Sequence, residues 1–194
     1  MSDKPSYLGL LNAIAVAESR AHCYLTCWIA TSPSEEVRAV LSTVAAREGE
    51  HGMSFAKRIN ELGYSVRDKP DPEQDKRMKI AQSKKSDLQK MEALVVPDLD
   101  PVDGPDIFDR LFSDHTIDIR TGELLGRYIA EERDSTRLLR SCYEQLAAAK
   151  GGASSAPETL DRLTALDTKV DALCAAVEEL RQVVCAPAMA NATN

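Results

Sequence analysis

The sequence predicts an all-α chain, and three observations predict it. Its 194 residues are 43% apolar but only 5% aromatic, with 9 Gly and 9 Pro against many Ala, Leu, Glu and Arg, a helix-forming composition. Apolar residues recur at 3–4 spacing in several segments, the period of one helix face. Prolines, serines and glycines punctuate those segments where helices start and stop.

The first helix is expected from about residue 6 to 30. Leu8, Leu11, Ala15, Glu18, His22, Leu25 and Ile29 form its inward stripe. Thr31-Ser32-Pro33-Ser34-Glu35 breaks it. Ser32 as N-cap, Pro33 at the first helical position and Glu35 three after the cap predict a capping box. The second helix then runs to Leu62, stopped by Gly63. Val37, Leu41, Val44, Glu48, His51 or Gly52, Phe55, Ile59 and Leu62 form its inward face. So short a connection makes the two an antiparallel hairpin.

After a polar linker over 64–72, a third helix is expected from Glu73 to about Val95. It carries Lys76, Arg77, Lys79, Lys84, Lys85 and Lys90, either a docking patch for an acidic partner or a solvated face. Three prolines exclude helix from Pro97 to Pro105, and a short amphipathic segment follows at 107–112. Asp118 then suits the N-cap of a long helix over about 119–149. Its stripe is Leu125, Tyr128, Ile129, Glu132, Thr136, Leu139, Tyr143 and Leu146.

Residues 151–157 read as a linker, which bounds a helical bundle at 1–150. Over 158–186, Leu163, Val170, Val177 and Val184 fall at heptad position a, and Leu166, Leu173 and Leu180 at d. Mostly β-branched a positions with Leu at d predict a parallel two-stranded coiled coil, hence a homodimer. Arg162 at g and Asp167 at e suit that pairing. One more helix packed on the same bundle is the alternative. Residues 187–194 are expected to be disordered.

Charge and pattern exclude several functions. A net charge of −7 disfavours general nucleic-acid binding. No apolar run reaches the ~18 residues that span a bilayer, so no membrane association is expected. The opening Met-Ser-Asp-Lys-Pro lacks a signal-peptide layout, which makes the cytoplasm the expected location. The 5 cysteines are scattered with no Cys-x-x-Cys pair, which excludes a zinc ribbon or rubredoxin-type site and favours reduced, apolar usage. Neither a nucleophile elbow nor a phosphate loop is present.

The chemistry lies in acids on inward faces. Glu18, Glu48 and Glu132 each replace an apolar residue mid-stripe, where a lone carboxylate is costly to bury. His51 stands three residues after Glu48, and His22 four after Glu18. Glu18 and Glu48 each lie about 14 residues from the turn, roughly 20 Å at 1.5 Å per residue. They therefore face one another at one height. Gathered carboxylates resist ionisation unless a cation lies between them. Carboxylate plus imidazole ligation suits iron or manganese and permits zinc.

These residues resemble the ferritin-like, rubrerythrin-type proteins: a helix-1 Glu (Glu18), then Glu-x-x-His on helix 2 (Glu48, His51), then an apolar residue and a Leu-Gly stop. The resemblance covers 6–149, most strongly 6–64. It implies an antiparallel four-helix bundle and half of a dinuclear iron or manganese site, with Glu18, Glu48 and His51 as ligands, Glu132 as a bridging or terminal ligand, and His22 as an additional candidate. In the second half Glu132 matches Glu48, but Ser135 stands where that family has a second His. No Glu stands about 30 residues before Glu132. Glu131 or Asp134 would contribute only after local rearrangement.

Three arrangements follow. The site forms within one chain from Glu18, Glu48, His51 and Glu132. Or two copies of Glu18, Glu48 and His51 meet across a dimer, as in the encapsulated ferritins this spacing also resembles. Or metal binding is lost, with Glu48 and Glu132 paired to His or to Arg20, Arg47, Arg127 or Arg133. Tyr24 and Tyr128 serve as core residues or as redox neighbours of a metal. The expected function is oxidation of Fe(II) or reduction of O₂ or peroxide with an external electron donor. A metal-free scaffold or oligomerisation protein is the alternative.

Overall fold

The computed structural model describes residues 4–99 and 114–151. These form five α-helices and one 3-10 turn, with no strand among the described residues. They are α1 (Leu8–Ile29), α2 (Glu35–Glu61), α3 (Pro72–Ala81), α4 (Asp87–Leu94) and α5 (Ile119–Gly151), with the 3-10 turn at Val96–Asp98. The chain is all-α, as expected. The segment at 107–112, the linker beyond Gly151, the 158–186 coiled coil and the tail lie outside the described residues.

The first hairpin forms as the sequence predicts, except at its cap. Ser34, not Ser32, is the N-cap of α2: its backbone is extended and its Oγ accepts from Val37 N at 3.2 Å. Pro33 therefore precedes the helix. Ser32 turns inward instead and donates to Asp87 Oδ2 at 2.8 Å. Gly63 ends α2 at φ 84°. Tyr64 N donates to Ile59 O at 3.1 Å and Gly63 N to Asn60 O at 2.9 Å, the paired bonds of a Schellman stop.

The helix expected over 73–95 is two helices. Ser86 starts the second with a capping box to Gln89, which favours a new helix over continuation of the old one. Asp71 and Pro72 start the first. The presumed basic stripe is dispersed by this break. Lys90 is fully buried, donating to Thr31 Oγ1 at 2.7 Å and to Ala81 O at 2.9 Å. Arg77 pairs with Asp98 at 2.9 Å and lies over the Tyr24 ring. Pro97 falls inside the 3-10 turn, where its missing N–H costs little.

α5 runs antiparallel to α2 and along α1. Its start meets the end of α2, where Arg58 Nη2 donates to Asp118 Oδ1 at 2.8 Å. Its middle meets Arg47 and His51. Asp118 caps it, Oδ1 accepting from Thr121 N at 3.1 Å.

The core is divided. One apolar cluster gathers Leu11, Ile14, Phe55, Ile59, Leu125 and Ile129. The other gathers Leu25, Trp28, Leu41, Val44, Met91 and Cys142. On α1, α2 and α5 alike, the residues between the two clusters include acids: Glu18, Glu48 and Glu132. A polar layer therefore crosses the middle of the core at one level.

Candidate metal centre

Gly49 and Gly52 set the closeness of α1 and α2 at that layer. A Cβ on Gly52 would lie 2.5 Å from Ser19 Oγ and 3.1 Å from Ser19 N. The helix backbones thus approach beside Glu18, and α2 turns Glu48 and His51 toward it. α5 supplies Glu132 from the opposite side.

Glu18, Glu48, His51 and Glu132 each offer an atom, all within 4.8 Å of one another. Glu18, Glu48 and His51 are 6%, 7% and 2% exposed. His51 Nδ1 lies 3.6 Å from Glu18 Oε2 and 3.4 Å from Glu132 Oε1. None of these three atoms has a hydrogen-bond partner. Buried polar atoms normally find partners, and these three converge in a cluster whose donors could hold a cation.

The atoms facing away are held. Glu18 Oε1 accepts from Tyr128 OH at 3.0 Å. His51 Nε2 donates to Glu131 Oε2 at 2.6 Å, and Arg127 Nε donates to Glu131 Oε1 at 3.1 Å. Tyr128 also meets the His51 ring edge-on at 5.0 Å. An imidazole whose outer N–H is bound to a carboxylate presents its other nitrogen in a fixed direction, the arrangement that orients metal-ligating histidines.

The gathered carboxylates shift one another's protonation. Burial, with Glu18 and Glu132 nearby, pushes Glu48 up to about 11. Burial also raises Glu132, helped by Glu18. Burial opposes the His51 imidazolium, but Glu132, Glu18 and Glu131 outweigh it and raise it to about 10. Burial would raise Glu18 too, yet His51, Glu48 and Tyr128 hold it below its ordinary value. Protons kept on Glu48 and His51 thus offset part of the negative charge gathered in this layer.

A cavity of about 220 Å³ adjoins the cluster. Glu18, Glu48 and Glu132 line it together with Tyr24, Arg77 and Asp98. A larger groove near Lys4, Asn12 and Arg67 is remote from these acids.

Of the residues anticipated from sequence, Glu18, Glu48, His51 and Glu132 come together within one chain. His22 does not. It is exposed, and its Nδ1 donates to Ala45 O at 2.7 Å, because beyond Glu18 the buried stripe of α1 runs through Tyr24, Leu25 and Trp28 and leaves His22 on the flank facing α2. Arg20 pairs with Asp68 and Asp71, and Arg127 with Glu50 and Glu131. Arg47 bonds Asp134 and Ser135. Tyr24 is a buried core residue whose hydroxyl is pushed up to about 12 by burial.

The orienting role of Glu131 escaped the sequence reading, which weighed it only as a ligand; its place beside Glu132, one turn after Arg127, was the available signal. Tyr128, one turn before Glu132 on the same stripe, likewise signalled a contact in the polar layer. No protein-family model, curated protein or solved structure matches this chain, so what the centre does is read from its own donors.

Proposed function

We propose that the chain is a metal-binding protein of the ferritin-like, rubrerythrin-type kind, a helical bundle that oxidises Fe(II) or uses bound iron or manganese to reduce O₂ or peroxide. The observation that carries this is the convergence of the partnerless Glu18 Oε2, His51 Nδ1 and Glu132 Oε1 in the core. Three carboxylates and one imidazole are donors suited to Fe(II) and Mn(II). Glu18, Glu48, His51 and Glu132 hold the ion, which supplies electron transfer to a small oxidant when bound.

The protein's own groups do the rest. Glu131 fixes the His51 ring, and Tyr128 fixes Glu18. The two apolar clusters keep bulk water from the layer, which strengthens each charge interaction inside it. The cavity beside Ala21, Leu25 and Val44 gives a small molecule a path to the acids. The absence of a Cys-x-x-Cys pair calls for an external electron donor. The 158–186 heptads support a homodimer.

The test is elemental analysis of protein purified without chelator, paired with thermal unfolding. Bound iron or manganese is expected, lost in Glu48→Ala and His51→Ala. A ligand at 100 times its Kd stabilises by about 2.7 kcal/mol, so Mn(II) should raise the Tm of the wild type alone. Metal-free protein whose Tm ignores Fe(II) and Mn(II) overturns the reading. It would favour the metal-free scaffold, for which Ser135 at the place of a second imidazole already speaks.

A further inference from the structure

Arg47 places a permanent positive charge beside the centre. It precedes Glu48 on α2, and its guanidinium reaches α5. Nη2 donates to Asp134 Oδ2 at 2.7 Å and Nη1 to Ser135 Oγ at 3.2 Å. Ser135 is 2% exposed and lies three residues after Glu132, where α5 would otherwise offer a second nitrogen ligand. Its hydroxyl instead takes a hydrogen bond from Arg47. Asp134 also accepts from Arg137 at 2.9 Å. Glu131 is engaged by His51 and Arg127. Both further carboxylates of this α5 turn therefore already have cationic partners.

Three carboxylates remain to face an ion. One divalent cation leaves them one negative charge in excess, which the Arg47–Asp134–Arg137 group cancels, since its two guanidiniums share one carboxylate and carry one net positive charge. A second cation would leave two positive charges uncompensated in the core, and an uncompensated buried charge is strongly disfavoured. Distance agrees. Donors at about 2.0–2.2 Å from one ion stand up to roughly 4.4 Å apart, close to the 4.8 Å spread of these four. Two ions about 3.5–4 Å apart would have to share the four residues that face one another here.

Resting on the metal-centre reading above, we propose that the site binds a single divalent cation, and that the Arg47 guanidinium, clamped on Asp134 and Ser135, balances the charge in place of a second ion. The centre is mononuclear, and Arg47 contributes to its charge balance.

The full chain, loaded with Mn(II), dialysed and analysed for metal per chain and by electron paramagnetic resonance, tests this. One Mn(II) per chain with the six-line signal of an isolated ion is expected. Arg47→Gln removes the fixed charge and should tighten Mn(II) binding about tenfold or more, while Arg47→Lys, which keeps the charge, stays near wild type. Two ions per chain, or an exchange-coupled signal, overturns the single-ion proposal and leaves the metal centre standing. No ion and no Tm response overturns the metal centre itself. Unchanged affinity in Arg47→Gln removes Arg47 from the account. Should that variant not fold, the wild-type stoichiometry and signal still decide.

Discussion

His51 Nε2 donates to Glu131 Oε2 at 2.6 Å, and this bond decides which ring nitrogen faces the acids. Nδ1 is left 3.6 Å from Glu18 Oε2 and 3.4 Å from Glu132 Oε1. Glu131 is itself steadied by Arg127. The ring's aim is thus fixed from a residue that faces away from the Glu18–Glu48–Glu132 cluster.

Glu131→Ala should therefore weaken Mn(II) binding about 10–100-fold, the usual effect of losing such a partner, without changing the number of ions per chain. Isothermal titration measures both. Unchanged affinity would mean that edge-on packing against Tyr128 alone orients the ring.

Gly52 is the closest backbone contact in the polar layer. Gly52→Ala gains about 1 kcal/mol of helix propensity but forces a Cβ to 3.1 Å from Ser19 N and 3.3 Å from its Cα. Overpacking typically costs about 1–3 kcal/mol, and here backbone must move. The expected outcome is a net loss of about 1–2 kcal/mol in denaturant unfolding, with weakened Mn(II) binding because Glu18 and Glu48 separate. Gly49→Ala is the contrast: its Cβ meets the exposed His22 ring at 2.9 Å, which can swing aside with loss of its bond to Ala45 O, so that loss and the helix-propensity gain offset and stability should change little. Equal losses in the two variants would remove the close approach as the cause.

Much of the centre was legible because helical phase carries it. Glu18, Glu48 and Glu132 stand on apolar stripes, and the turn after Ala30 sets the first two at one height. Legibility failed where side chains choose between local partners. His22 shares the predicted stripe with Glu18 yet bonds a carbonyl on α2. Ser32 reads as the cap from its place before Pro33 and Glu35, but the buried Asp87 claims its hydroxyl and Ser34 caps α2 instead. Lys90 reads as a surface lysine until the helix break before Ser86 brings it over the carbonyl of Ala81 at the end of α3, which also accepts from Thr31 Oγ1. Such choices depend on long-range contacts that periodicity does not encode.

Asp87 joins the α1–α2 turn to α4. It accepts from Trp28 Nε1 and Ser32 Oγ, both at 2.8 Å, and is 6% exposed. Asp87→Ala strands the indole N–H in the core, a desolvation cost of about 1–3 kcal/mol. Trp28 is the single tryptophan of the chain and fully buried, so its fluorescence reports this corner directly. A lower unfolding midpoint and a red-shifted native emission are expected. Native emission identical to wild type, with no stability loss, contradicts the assignment.

Asp118 ties α1, α2 and α5 together at the other end. It accepts from Tyr7 OH at 2.6 Å, Thr121 Oγ1 at 2.7 Å and Arg58 Nη2 at 2.8 Å. Burial pushes its carboxyl up, but Tyr7, Thr121 and Arg58 outweigh burial and hold it well below the ordinary carboxylate range. A carboxyl depressed in the folded state stabilises when ionised. That stability is complete above the unfolded value of about 3.9 and is lost as pH falls toward the folded value. Asp118→Asn keeps a good helix cap, so it isolates the charge. The side chain is 38% exposed, and solvent screening limits the loss to about 1 kcal/mol at pH 7. Urea unfolding should give a wild-type advantage that is constant from pH 7 to about 5 and shrinks below about 4. An advantage that stays level down to pH 2 would show that packing, and not the carboxylate's hydrogen bonds and ion pair, makes Asp118 matter.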